Sequence, residues 1–292
     1  MKCFHHNDLD GYCSARIVAV YENDFNPDDF IEVDYKTLLP IDRVSKNEKV
    51  YIVDYSISEN TYQSLVELLK ITNDIIWIDH HVSSIKMLEN HRELSVILDN
   101  PNSIVNTLYS YSGAALTYMS LYKKADYNSI PTYIRFVSDY DTWKYEYGKD
   151  TEYFKCGMEM YPYKPFDEIW EKLEKDIDRE DFLSGLIESG RSIRVYLEQN
   201  YKFKRSYLSY EVELDGYKCL VVNLDGNSWV FGDEIENQAY DVFILWHYDG
   251  EYYSYSLYSS NKRDVDVSKI AENRGGGGHK HASGFKLKEL IL

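Results

Sequence analysis

The sequence has 292 residues, 44% hydrophobic and 15% aromatic, which is enough apolar material for two ordinary domains and too much for global disorder. A formal net charge of −17 argues against the basic face needed to hold long duplex DNA, and no apolar run reaches the roughly 20 residues of a membrane span. Cys3, Cys13, Cys156 and Cys219 form no CxxC pair, and the N-terminus has no basic-then-apolar leader, so the chain reads as a cytoplasmic protein with reduced thiols.

In chain order, short apolar runs predict strands at Met1–His5, Phe30–Tyr35, Val50–Tyr55, Ile75–Asp79 and Leu94–Leu98. Helical patterns fall between and after them, at Gly11–Glu22, Ser58–Lys70, Val82–Glu89 and Ser112–Lys123, with Ser58 and Ser112 as expected N-caps. Strands alternating with helices predict an α/β domain with a mostly parallel sheet, residues 1–160. Residues 161–206 carry Phe166, Ile169, Trp170, Leu173 and Ile177 at helical spacing and read as linker helices rather than a core layer. Strand patterns return at Tyr207–Leu214, Lys218–Leu224, Val242–Tyr248 and Tyr252–Tyr258, so residues 207–292 are expected to form a smaller α+β domain.

The chemistry-bearing residues sit at strand ends. The first strand runs into His6, Asp8 and Asp10, the third into Asp54, and the fourth into Asp79, His80 and His81. Open parallel sheets bring such carboxyl ends side by side, so Asp8, Asp10, Asp54, His80 and His81 are expected to converge. Alone, a D-x-D is usually a turn or a helix cap, and a His-His pair is usually structural. Coincidence at successive strand ends is a different matter. Carboxylates with imidazoles suit Mn²⁺ or Mg²⁺, and with this many acids two cations are expected. A further acidic element, containing Asp139 and Asp141, follows an apolar helical stretch.

The other informative segment is Arg274-Gly275-Gly276-Gly277-Gly278-His279-Lys280-His281. It lies in residues 260–292, which hold seven Lys/Arg against four Asp/Glu in an otherwise acidic chain. Consecutive glycine N–H groups among cations form a candidate phosphate cradle, strengthened if a helix begins near His279.

The series Asp8-x-Asp10-Gly11, Asp54, Asp79-His80-His81, Asp139 and GGGGH, in this order, resembles the motifs of DHH-superfamily phosphoesterases with their DHH-associated C-terminal domain. The opening HNDLDGYCSA and closing GGGGHKHASGF most resemble the nanoRNase B-type oligoribonuclease branch. The resemblance implies two Mn²⁺ ions, with Mg²⁺ as the alternative, held by Asp8, Asp10, Asp54, His80 and Asp139, with Asp54 bridging. Asp141 competes with Asp139. His6 stands in for a histidine that many relatives place where this chain has Phe4. His81 and Asp10 are the implied catalytic residues of the first domain. From the second domain, across an expected interdomain cleft, Gly276, Gly277, Gly278 and His279 would hold the substrate, with His279 also an implied catalytic residue. Many relatives have an arginine where this chain has Tyr258, so Lys262, Arg263 and Arg274 are the implied replacements for its phosphate contact.

The expected activity is hydrolysis of short oligoribonucleotides or linear dinucleotides to mononucleotides, by a monomer or homodimer. The alternatives are a 3′-phosphoadenosine-phosphate phosphatase, a cyclic-nucleotide phosphodiesterase, or a protein that sequesters nucleotides without catalysis. A pyrophosphatase and a processive single-strand exonuclease are disfavoured, the latter because the chain offers no basic groove.

Overall fold

The computed structural model describes residues 1–34, 38–106, 111–175, 177, 180–236, 239–260 and 264–292, without the side chains of Asp233, Glu236 and His279. The chain divides into two compact units, Met1–Ile193 and Arg194–Leu292.

The first unit contains β1 (Lys2–His6), α1 (Leu9–Glu22), β2 (Phe30–Val33), β3 (Val50–Val53), α2 (Tyr62–Ile71), β4 (Ile75–Asp79), α3 (Val82–Asn90), β5 (Ile104–Val105), α4 (Gly113–Leu121), α5 (Thr132–Asp141), α6 (Lys149–Met158) and α7 (Glu168–Lys175). A long helix, α8 (Asp181–Leu208), begins in it. The five strands form a wholly parallel sheet in the order β2-β1-β3-β4-β5. Because side chains alternate along a strand, Cys3, Tyr51, Val53, Ile76 and Ile78 enter one apolar core, while Phe4, Val50, Ile52, Ile75 and Trp77 enter another. The sheet is therefore apolar on both faces, as expected of a parallel sheet covered by helices. Full burial of each such side chain is worth about 1.5–3 kcal/mol.

Several sequence expectations are corrected. Leu94–Leu98 is not a strand but part of a 3₁₀-helix, Arg92–Asp99, and the fifth strand lies later, in β5. Leu94 and Ile97, three apart, are buried while Val96 and Leu98 are exposed, so the apolar period is helical rather than alternating. Ser58 is not the cap of α2, which starts at Tyr62; it sits in a turn, its carbonyl accepting from the N–H groups of Thr61 and Tyr62. Ser112 does cap α4, accepting from the Ala115 N–H at 3.5 Å. Ile169, Trp170 and Leu173 belong to a core layer and not to a linker, since all three are buried in the first core. Arg16 of α1 fastens this layer with a two-pronged ion pair to Glu174, at 2.8 and 2.6 Å. Tyr35, at the expected end of β2, lies outside the described residues.

The second unit carries β6 (Ser209–Leu214), β7 (Tyr217–Asn223), β8 (Val242–Tyr248), β9 (Tyr253–Tyr258), α9 (Val267–Glu272), β10 (Gly277–His279) and β11 (Ala282–Leu287). Its sheet runs β10-β11-β9-β8-β7-β6, antiparallel except for the parallel β7–β8 pair. No helix begins at His279; the glycine run instead forms the edge strand β10, paired antiparallel with β11. Close packing demands glycine at two of these positions. A Cβ on Gly276 would lie 2.1 Å from the Gly284 carbonyl oxygen, and Gly278 has φ +141° with Ser283 against it.

Candidate metal centre

The parallel sheet delivers its acidic residues to one end. Just beyond β1, Asp8 caps α1, its Oδ1 accepting from the Gly11 N–H at 2.9 Å and its Oδ2 bonded to His6 Nδ1 at 2.8 Å. Burial works against the ionised form of Asp8, but the His6 bond and charge, together with the Gly11 bond, outweigh it and hold this carboxyl below its ordinary value.

Asp10 is buried and held by the start of α4. Its Oδ1 accepts from the Ser112 hydroxyl at 2.6 Å and the Ala114 N–H at 3.0 Å, and its Oδ2 accepts from the Gly113 N–H at 2.7 Å. A helix N-terminus has free N–H groups, and here they hold this carboxylate in a set orientation.

Asp54, immediately after β3, has left-handed backbone, φ +50°, a conformation that aspartate tolerates better than most residues. Its N–H remains tied to the Ile78 carbonyl at 2.9 Å, so the chain turns off the sheet at this point. Beyond β4, His80 Nε2 faces Asp54 Oδ1 and Asp141 Oδ2, each at 3.4 Å, and Asp10 Oδ2 at 4.0 Å. Ligand atoms of three groups lie within 4.8 Å of one another: Asp10, His80 and Asp141; Asp54, His80 and His81; and His6, Asp8 and Asp54. The shared residues His80 and Asp54 join these into one cluster.

Three atoms test whether this cluster fits a cation. Asp54 Oδ1, His80 Nε2 and Asp141 Oδ2 are buried without a hydrogen-bond partner. Leaving a buried polar atom unsatisfied costs about 1–3 kcal/mol, yet the fold concentrates three at one point. Burial, then the charges of Asp10 and Asp8, pushes Asp54 well above its ordinary value; burial and the Asp10 charge do the same to Asp141. Burial and the neighbouring His81 push His80 down. Carboxylates crowded against their own charge and a neutral imidazole are the donor set a hard divalent cation satisfies.

His81 is set apart from His80 by its partner. Its Nδ1 is bonded to the buried Asp79 at 2.7 Å, and Asp79 in turn accepts from the Ser84 hydroxyl. Burial opposes the imidazolium, but the Asp79 charge and hydrogen bond prevail and raise His81 to about 9.

The remaining sequence-derived site residues divide. Asp139 is not gathered with the ligands: its carboxylate accepts from the N–H groups of Glu146 at 2.8 Å and Tyr147 at 3.3 Å and from the Thr151 hydroxyl. Asp141, at the end of α5, joins the cluster instead. In the second unit, Arg274 is engaged by Asp215 through two hydrogen bonds, at 2.7 and 2.8 Å. Gly276, Gly277 and Gly278 lie at and just before β10, and a Cβ on Gly277 would meet nothing within 4 Å. The backbone of His279 ends β10 while its side chain lies outside the description, and Lys262 and Arg263 lie outside the described residues. Sequence reasoning missed Ser112, Gly113 and Ala114 as the cradle of Asp10; the only local signal was the cap at Ser112, which says nothing of a partner 102 positions earlier.

Residues 3–137 match the family described as "DHH family, N-terminal domain". An uncharacterized protein of Acanthamoeba polyphaga mimivirus, R106, is 28% identical over 258 residues, or 84% of this chain; the chain spans only 54% of that protein's length. Among solved structures, the pGpG-specific phosphodiesterase PggH of Vibrio cholerae is similar in fold, with TM-score 0.51 and 11% identity over 98% of this chain and 92% of that one. An exopolyphosphatase-related protein of Bacteroides fragilis is likewise similar, with TM-score 0.54 and 13% identity over 99% and 87%.

Proposed function

We propose that this chain, whose residues 3–137 match the DHH family's N-terminal domain, is a phosphoesterase that hydrolyses short oligoribonucleotides or linear dinucleotides to mononucleotides, using two divalent cations, Mn²⁺ first. The observation that carries this reading is the trio of unsatisfied atoms on Asp54, His80 and Asp141, at the meeting point of three possible ligand groups.

In this reading His6, Asp8, Asp10, Asp54, His80 and Asp141 would hold the cations, with Asp54 and His80 each common to two of the groups. Bound there, the cations supply Lewis acidity toward the phosphoryl oxygens and toward water. Asp79 keeps His81 protonated, so its ring can offer positive charge and a hydrogen bond to the oxygens of the scissile phosphate as their charge grows. The start of α4 keeps Asp10 from turning away when substrate enters. In the second unit, the edge strand at Gly277–His279 is proposed to offer backbone N–H groups to an anion; the Gly276 N–H is already bonded to the Ala271 carbonyl at 2.9 Å. The net charge of −17 favours short substrates over long polymers, whose many phosphates it would repel.

The test is product analysis by anion-exchange chromatography with Mn²⁺. The substrates are a 5′-phosphorylated dinucleotide, a short RNA, a long RNA, 3′-phosphoadenosine phosphate and a cyclic dinucleotide, each with wild type and with Asp141→Asn. Rapid release of mononucleotides from the two short substrates, lost in the variant, is expected. Preference for either of the last two substrates would reassign the substrate, and tight binding of all five without turnover would overturn the hydrolase reading.

A further inference from the structure

The loop after α5 holds an arrangement the metal ligands do not require. Asp139 fixes it by accepting from Glu146, Tyr147 and Thr151. Within it, Trp143 and Tyr145 both have left-handed backbone, φ +56° and +51°, a conformation bulky residues rarely adopt. The conformation is over-determined: the Trp143 N–H bonds the Tyr140 carbonyl at 3.2 Å, and the Lys144 N–H bonds that of Asp139 at 3.2 Å. Such strain concentrates where a fold presents a group for use.

What this loop presents is an indole. Trp143 is 56% exposed, and its ring meets Tyr145 edge-on at 6.2 Å between centroids. It follows the ligand Asp141 by two residues, which limits their Cα separation to about 7 Å. Between the two aromatic residues, Lys144 places its ammonium 4.8 Å above the ring of Tyr111, the residue just before the Ser112 that holds Asp10. A large apolar side chain that folding leaves in water, on strained backbone beside a phosphoester site, has the chemistry of a stacking surface for a planar ring.

We propose that Trp143 is a positioning residue that stacks a nucleobase of the substrate, setting the adjoining phosphodiester over the metal centre. This inference rests on the phosphodiesterase reading above and narrows it to substrates that carry a base next to the scissile bond. Stacking on an indole tolerates any base, so it confers preference for nucleotides without sequence choice.

The test compares wild type, Trp143→Ala and Trp143→Phe on a 5′-phosphorylated dinucleotide and on its abasic analogue, in Mn²⁺. Trp143→Ala is expected to raise KM for the dinucleotide about 5- to 150-fold, the range of one lost base stack, with kcat and the abasic reaction unchanged; Trp143→Phe should recover most of the loss. Equal loss on both substrates, or no loss on either, overturns the stacking role while leaving the hydrolase reading intact. Should wild type cleave neither substrate, the hydrolase reading falls, and tryptophan fluorescence decides the stacking role separately. Quenching by a nucleoside monophosphate but not by ribose 5-phosphate, absent in Trp143→Phe, supports it; equal responses to both ligands overturn it.

Discussion

Gly113 lies directly against Asp54: a Cβ at residue 113 would come within 2.5 Å of the Asp54 Cβ and 2.8 Å of its Oδ1. The same glycine donates its N–H to Asp10 at 2.7 Å, so one residue without a side chain spaces two carboxylates of the proposed centre. Gly113→Ala should therefore push Asp54 off its position while leaving helix propensity intact or improved. The expected outcome is a 10- to 100-fold loss of Mn²⁺ affinity, roughly the penalty for disturbing groups that orient ligands, measured by isothermal titration calorimetry. Unchanged affinity would mean that Asp54 can move without harm and is not a tightly held ligand.

Asp139 and Asp141 should separate cleanly by mutation. Asp141→Asn is expected to lower metal stoichiometry or affinity with urea stability retained, because Asp141 Oδ2 has no hydrogen bond to lose. Asp139→Ala strips the acceptor from two N–H groups and a hydroxyl, and should cost about 1–3 kcal/mol in urea unfolding. Its metal stoichiometry should match wild type. The reverse pattern would restore Asp139 as the ligand.

Metal affinity should depend on pH in a definite direction. Burial and neighbouring charges raise Asp54 and Asp141, so the metal-free protein holds protons there in a range where ordinary carboxylates are ionised. A cation must displace those protons. Affinity for Mn²⁺ should accordingly fall as pH is lowered, beginning above the ordinary carboxylate range, with proton release on binding, both read from titrations in buffers of different ionisation enthalpy. Flat affinity and no proton release would show that the carboxylates carry no raised pKa.

The two adjacent histidines should titrate far apart in the metal-free protein. His81 is raised to about 9 by Asp79 against the opposing effect of burial, whereas burial and His81 lower His80. Because its folded pKa is raised, His81 contributes stability fully present below the ordinary histidine range and lost as pH rises through about 9. Histidine ring NMR with Asp79→Asn as the comparison checks this: the variant should bring His81 back toward its ordinary value and flatten the alkaline loss of stability. A His81 resonance that titrates normally in wild type would remove the Asp79 pair as its cause.

Much of the site was legible in the sequence because its signals are local. An apolar run ending in Asp54, or in Asp79-His80-His81, announces both a strand and the chemistry at its carboxyl end, and parallel pairing then brings those ends together. The alternation of both-sided apolar residues through Val50–Val53 and Ile75–Ile78 likewise determined a sheet buried on two faces. Where two periods competed, local pattern failed. Leu94 and Ile97 could be read at strand or helix spacing, and only the core they face decides for the helix.

The choice between Asp139 and Asp141 could not be made from sequence. Two positions apart on the last turn of α5, they point to different surroundings, one to the N–H groups of Glu146 and Tyr147 and the other to His80. The cradle of Asp10 depends on α4 arriving, 102 residues later, with its free N–H groups aimed at that carboxylate. The sequence by itself determined most element types of the first unit, the parallel sheet and which strand ends carry acids, since these follow from side-chain periodicity and residue chemistry within short windows. Only the tertiary structure decided which carboxylates are held by N–H groups and which keep an oxygen unsatisfied, because hydrogen-bond satisfaction is a property of partners brought together by the fold.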